Sequence, residues 1–210
     1  MSALNFLLGN QQLVAGLMLQ HVILTGCALA IAGLIGIAAG ITGSRVPRFG
    51  TLSLTIANVG QSIPSIALIG LVVPLLGIGF WPALVALAVR GVLPIYMNTY
   101  LGLAGVPAAT REAAVGNGLG NREILIWVEI PIAAPVIMAG IRTAAVEGVA
   151  VTTLAAFIGG GGLGDLILQG IAMMDPARLM GGVLPVAALA IVAELVFGAL
   201  EFVLRRNFKV

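Results

Sequence analysis

The stretch LMLQHVILTGCALAIAGLIGIAAGI, residues 17–41, decides the fold: it runs for 25 positions without an Asp, Glu, Lys or Arg. A helix crosses the roughly 30 Å hydrocarbon layer of a bilayer in about 20 apolar residues, so this run is long enough to span one. The rest of the chain follows suit, with 60% of 210 residues hydrophobic, 9% charged and a mean hydropathy of +1.15. A soluble domain carries roughly 25% charged residues, and a water-soluble fold is therefore excluded. Five spans need about 100 apolar positions, which this composition supplies with enough left for loops. The reading is one all-α polytopic membrane domain, residues 1–210, with five transmembrane helices. A formal net charge of +2 gives no reason to expect a nucleic-acid partner, and a single cysteine, Cys27, allows no intrachain disulfide.

Upstream of the first span, the opening twenty residues contain no Lys or Arg, so no secretory leader is expected. Downstream, the run ends at SRVPRF, where Arg45 and Arg48 flank Pro47. A second span is expected from about Leu52 to Leu76, ending in LLGIGFWP, whose Gly77, Gly79 and Pro82 suit a tight turn beside an interfacial Trp81. A third follows over about Ala83–Leu103, a fourth over Pro135–Ile158 and a fifth over Gly181–Leu204. With the amino terminus outside, one side holds Arg45, Arg48, Arg111, Arg122, Arg205, Arg206 and Lys209, and the other only Arg178. The positive-inside rule then places the carboxyl terminus and the long segment 104–134 in the cytoplasm.

That segment has local structure of its own. Pro107 suits a first helical turn, the residues Thr110 to Val115 favour a short helix, and the glycines of GNGLG at 116, 118 and 120 stop it. Asn121 is placed to cap a second short helix running through Trp127, which Pro131 and Pro135 would terminate. Small side chains at Ala113 and Ala114 would admit another backbone, and Gly118 a turn that a side chain obstructs. Taken alone, the pattern also describes an ordinary surface helix pair joining two spans.

These residues carry a resemblance. Glu112-Ala113-Ala114, Gly118 four positions later and Ile130-Pro131 resemble the EAA loop of ABC importer permeases, the element that such subunits insert into a groove of the ATP-binding subunit. The segments QSIPSIALIGLVVPLLGIG (61–79), LPIYMNTYLGL (93–103), VEIPIAAPVIMAGIRTA (128–144) and LAAFIGGGGLGDLILQG (154–170) are similar to the osmoprotectant, or quaternary-amine, branch of these permeases. Arg90 and Met97 depart from the residues usual there, an apolar or aromatic one and a basic one. The resemblance implies a type I ABC importer-like fold in a bacterial or archaeal cytoplasmic membrane, without a cofactor of its own. Its partners would be a second permease copy, identical or related, an ATPase dimer binding ATP and Mg, and an extracytoplasmic substrate-binding protein. Arg111, Glu112, Ala113, Ala114, Gly118, Ile130 and Pro131 would form the coupling loop.

No catalytic or metal centre competes with this. The chain lacks GxxxxGK[ST], and the run Gly159, Gly160, Gly161, Gly162, Leu163, Gly164 has no lysine after it. With Asp165 it reads either as a flexible outer turn or as an outer gate, where glycine permits non-helical backbone beside water. His21, the only histidine, is expected as a hydrogen-bonded residue at the outer end of the first span. Arg90, Glu147 and Glu194 lie within spans, where each charge costs about 2.5–3.5 kcal/mol at the helix centre, so they should face the bundle interior. Either Arg90 pairs with Glu147 or Glu194, or a carboxylate stays near the pathway, where it would favour a cation. Arg142 should snorkel towards the inner surface, and Glu201 should pair with Arg205 one turn on. Alternative functions are a permease of the same type for an amino acid or other small polar solute, and a membrane scaffold without a pathway.

Overall fold

The computed structural model describes residues 3–208, with side chains for all of these except 47–51 and 208. The side chain of Arg48 and the whole of Lys209 therefore lie outside what is described. The helices are α1 (Ala3–Gly9), α2 (Gln11–Arg45), α3 (Pro47–Ser62), α4 (Ser65–Leu76), α5 (Phe80–Ala104), α6 (Ala108–Gly116), α7 (Asn121–Ile124), α8 (Ile130–Thr152), α9 (Gly164–Ala172) and α10 (Pro176–Phe208). Four helical stretches among the described residues are long and apolar enough to cross a membrane, at Gln11–Arg45, Phe80–Ala104, Asn121–Ile158 and Pro176–Asn207. The pair α3–α4, expected from the sequence as one span, makes a fifth crossing if its two halves are counted together, and is otherwise a re-entrant loop. It is bent by 96°. Pro64 lacks an N–H and keeps the residue before it out of the α region, and Ile63 is accordingly extended, with φ −69° and ψ 124°.

The core is built by close approach of backbones. Along α2 the buried residues Leu24, Ala28, Ala32, Gly36 and Gly40 recur every four positions and make one stripe of mostly small side chains. The stripe lies along α5, which runs parallel to it. A Cβ on Gly36 would stand 2.9 Å from the Ile95 Cβ, and one on Gly40 2.5 Å from the Thr99 Cβ. In lipid, where apolar side chains gain little by leaving the solvent, such small-xxx-small contact is what holds spans together. On an adjacent face of α5, antiparallel α8 approaches so closely that a Cβ on Gly140 would meet the Asn98 Cβ at 2.6 Å. Helix α10 packs on α8 and, through α9, forms a hairpin whose turn is closed by Asp175. Its Oδ1 accepts the N–H groups of Ala177 and Arg178 at 3.0 and 3.2 Å, an N-cap.

The fourth span departs from expectation at its start. Pro131 and Pro135 do not end a separate loop helix, because the chain stays helical from Asn121 to Ile158. A π turn over Leu125–Glu129, closed by the Ile130 N–H on the Leu125 carbonyl, carries the helix past Pro131. A wide turn of this kind accommodates the missing donor that would break a regular helix. Nor does Asn121 cap it. Glu123 does, its Oε2 accepting the Gly120 N–H at 2.8 Å.

Candidate coupling surface and the charges of the spans

Helix α6 begins after Pro107 and ends in a Schellman motif. Gly118 takes φ +83°, the Leu119 N–H reaches the Ala114 carbonyl at 3.2 Å, and the Gly118 N–H reaches that of Val115 at 2.9 Å. Space around a Cβ at Gly118 is open, so glycine is required there by backbone conformation rather than by packing within the chain. The outward face carries Glu112, Ala113, Val115, Asn117 and Gly118, all exposed. Ala114, expected on the docking face, is buried against the chain's own body. Ile130 and Pro131, half-buried, belong to the first turn of α8.

Arg111 also points inward. Its Nε donates to Glu129 Oε1 at 2.7 Å and its Nη2 to the Leu103 carbonyl at 2.5 Å. Arg45, at the end of α2, donates to both oxygens of the same carboxylate. Glu129 is 1% exposed, so a buried anion is held between two arginines whose outer sides remain accessible. The sequence signal for it was a lone acid in the otherwise apolar run IWVEIPIAAP, residues 126–135.

Inside the spans the arginines sort differently from expectation. Glu194 is bonded not to Arg90 but to Arg142, which also donates to Glu201 Oε2 at 2.9 Å. Arg205 pairs with Glu201 at 2.9 Å, four residues apart as expected. Arg90 donates Nη1 to the Gln61 carbonyl at 2.8 Å. Glu147, exposed on α8, has no hydrogen-bond or ion-pair partner among the described residues. Arg90 and Glu147 nevertheless line one cavity between α2, α5 and α8, together with Thr25 and Thr152, whose hydroxyls are 2.8 Å apart.

At the opposite end of the bundle the glycine run is ordered and tightly packed. Gly159, Gly161 and Gly162 have positive φ, a Cβ on Gly160 would lie 2.8 Å from that of Ala83, and one on Gly164 2.1 Å from the Thr153 carbonyl. The Gly162 N–H donates to Gln20 Oε1 at 3.2 Å. Asp165 follows in the first turn of α9, where burial pushes its carboxyl up from the ordinary range. His21 is fully buried beside this run, within 3.2 Å of where a Cβ on Gly162 would stand. Its Nε2 lies 2.9 Å from the Val149 carbonyl, which can only accept, so Nε2 carries the proton.

The family model described as binding-protein-dependent transport system inner membrane component matches residues 32–210. The chain is 41% identical to the osmoprotectant import permease protein OsmW of Salmonella typhimurium over 97% of each chain. It is 41% identical to the choline transport system permease protein OpuBB of Bacillus subtilis and 38% to the carnitine transport permease protein OpuCB of Listeria monocytogenes, over 87% of this chain and 84% of each of those. A solved structure of the MetNI methionine ABC transporter in an inward-facing conformation superposes with a TM-score of 0.84 at 19% identity, covering 93% of this chain and 98% of that one. At that identity the likeness concerns the fold. The chain belongs to the family of binding-protein-dependent transport inner membrane components, and is thus a multi-pass permease subunit, not an enzyme, of an ABC importer whose architecture implies ATPase and substrate-binding partners.

Proposed function

We infer that this subunit conducts quaternary-amine osmoprotectants such as glycine betaine, choline or carnitine across a bacterial or archaeal cytoplasmic membrane, as half of a permease pair. The observation that carries the substrate class is the kinship with three permeases named for osmoprotectant, choline and carnitine transport. The chemistry of the spans agrees with it. A quaternary ammonium group donates no hydrogen bonds and is weakly hydrated, so its path needs few polar contacts, and α2, α5, α8 and α10 offer mainly Ala, Leu, Ile, Val and Gly. Glu147, which has no hydrogen-bond or ion-pair partner among the described residues, supplies a bias towards cations where the path is wet. A polyanion would need several free cationic groups, and Arg142 is already engaged by two carboxylates.

In this reading α6 lies in the cytoplasm, because its end of the bundle carries Arg45, Arg111, Arg122, Arg205 and Arg206 while Arg178 lies at the other. The exposed Glu112, Ala113 and Gly118 surface seats in a groove of an ATPase that binds ATP and Mg, two ATPases serving two permease copies. Nucleotide-driven closure then moves α6 and the spans attached to it, and an extracytoplasmic protein delivers substrate to the glycine-run end. The test is uptake of labelled glycine betaine and choline into proteoliposomes holding the assembled complex, against an amino-acid panel. Uptake of at least one amine, unaffected by amino acids, is expected. Transport confined to an amino acid would contradict the substrate assignment and leave the family untouched.

A further inference from the structure

We propose that Glu129 is the positioning residue through which movement of α6 reaches the spans, a reading that rests on α6 being the element that docks the ATPase. The carboxylate stands where four elements meet: the π turn that opens α8, the end of α2 through Arg45, the inner face of α6 through Arg111, and the end of α5 through the bond from Arg111 to the Leu103 carbonyl. Both carboxylate oxygens are occupied, and the group is 1% exposed.

Burying an ion triad is a poor way to gain stability, since apolar side chains of similar volume hold helices together as well or better. Its distinguishing property is direction. Planar guanidinium forks accept few orientations on a carboxylate, so rotation of α6 is resisted by Arg111 and passed to Arg45 and α8. The π turn adjoining Glu129 places a non-standard, deformable winding at the joint, a feature that recurs at functional sites in helices. Glu112, Ala113 and Gly118 receive the push on the outer face of α6, while Arg111 on the inner face hands it on.

The experiment measures ATP hydrolysis and uptake of labelled glycine betaine or choline, whichever the unmodified complex transports, in proteoliposomes containing the whole complex. Glu129→Gln keeps the shape of the side chain and removes its charge. The expected result is an assembled complex in which ATP consumed per solute imported rises about fivefold or more, on the order of the coupling typical between two linked sites, while Glu129→Asp retains near-normal coupling. Arg111→Lys, which keeps the charge and loses the fork, should raise the ratio to a smaller extent and decides the matter if Glu129→Gln fails to assemble. Hydrolysis and uptake falling together at constant ratio in these variants would overturn the proposal and leave Glu129 a structural residue. Gly118→Asp in the same assay separates the two ideas. If it uncouples while the Glu129 and Arg111 variants do not, only the transmission role fails; if it too is normally coupled, the docking reading itself is wrong.

Discussion

At the scale of single residues, the packing between spans is governed by atoms that are absent. Gly40 and Gly33 both lie in α2, yet a Cβ at Gly40 would stand 2.5 Å from the Thr99 Cβ and 3.1 Å from the Tyr96 carbonyl, whereas one at Gly33 meets nothing within 4 Å. Gly40→Leu should therefore lower the stability of the purified subunit by about 1–3 kcal/mol through overpacking. Gly33→Ala should be neutral or stabilising by under about 1 kcal/mol, since it only restricts the unfolded chain. Thermal unfolding in detergent checks the contrast, and equal effects at both sites would mean that α2 and α5 do not cross where the small stripe places them. The same scale limits what could be read from sequence. That Glu194 and Glu201 needed partners followed from their position in an apolar span, but whether Arg90 or Arg142 supplied one depended on the rotation of α8 and α10 about their axes. The pairs Arg142–Glu194 and Arg45–Glu129 join residues 52 and 84 positions apart, and no local pattern encodes such a distance.

At the scale of elements, α6 was legible because its boundaries are local: Pro107 before it, alanine-rich turns within it and a left-handed glycine after it. The start of the fourth span was not, because proline acts as a helix breaker only where the preceding turns are regular, and the π turn over Leu125–Glu129 removes that condition. The bend at Pro64 was obscured for the opposite reason, since its flanks are apolar enough to suggest a continuous span. The geometry of the α6 cap makes one substitution diagnostic. Asp is among the few residues that tolerate the conformation of Gly118, and the space beside it is open, so Gly118→Asp should fold and insert normally. It places a charge on the face that seats in the ATPase. Loss of uptake with normal membrane abundance is expected, and Gly118→Asn, lacking the charge, should retain more activity; if both transport normally, α6 does not make the contact.

At the scale of the whole molecule, the exposed surface is almost wholly apolar along the spans and mixed at the α6 end, as a subunit needs that faces lipid or a second copy on its flanks and a soluble partner beneath. Leu34, Leu75 and Leu195 stand out among many large exposed side chains, while α6 presents Glu112 and Asn117. One sequence thus divides its surface between two kinds of neighbour, and the account turns on what sits against the α6 face. Cys27 is the only cysteine, so a Cys27→Ala background permits a single thiol to be placed at will. Ala113→Cys puts that thiol in the middle of the exposed face of α6, one residue before the buried Ala114. The most direct measurement is the identity of the chain joined to it by a short thiol-reactive photo-crosslinker in membranes containing the assembled complex. A product with the ATPase is expected, diminished when the same crosslinker is placed at buried Ala114. A product only with lipid, the substrate-binding protein or another permease chain would contradict the docking of α6 on the ATPase.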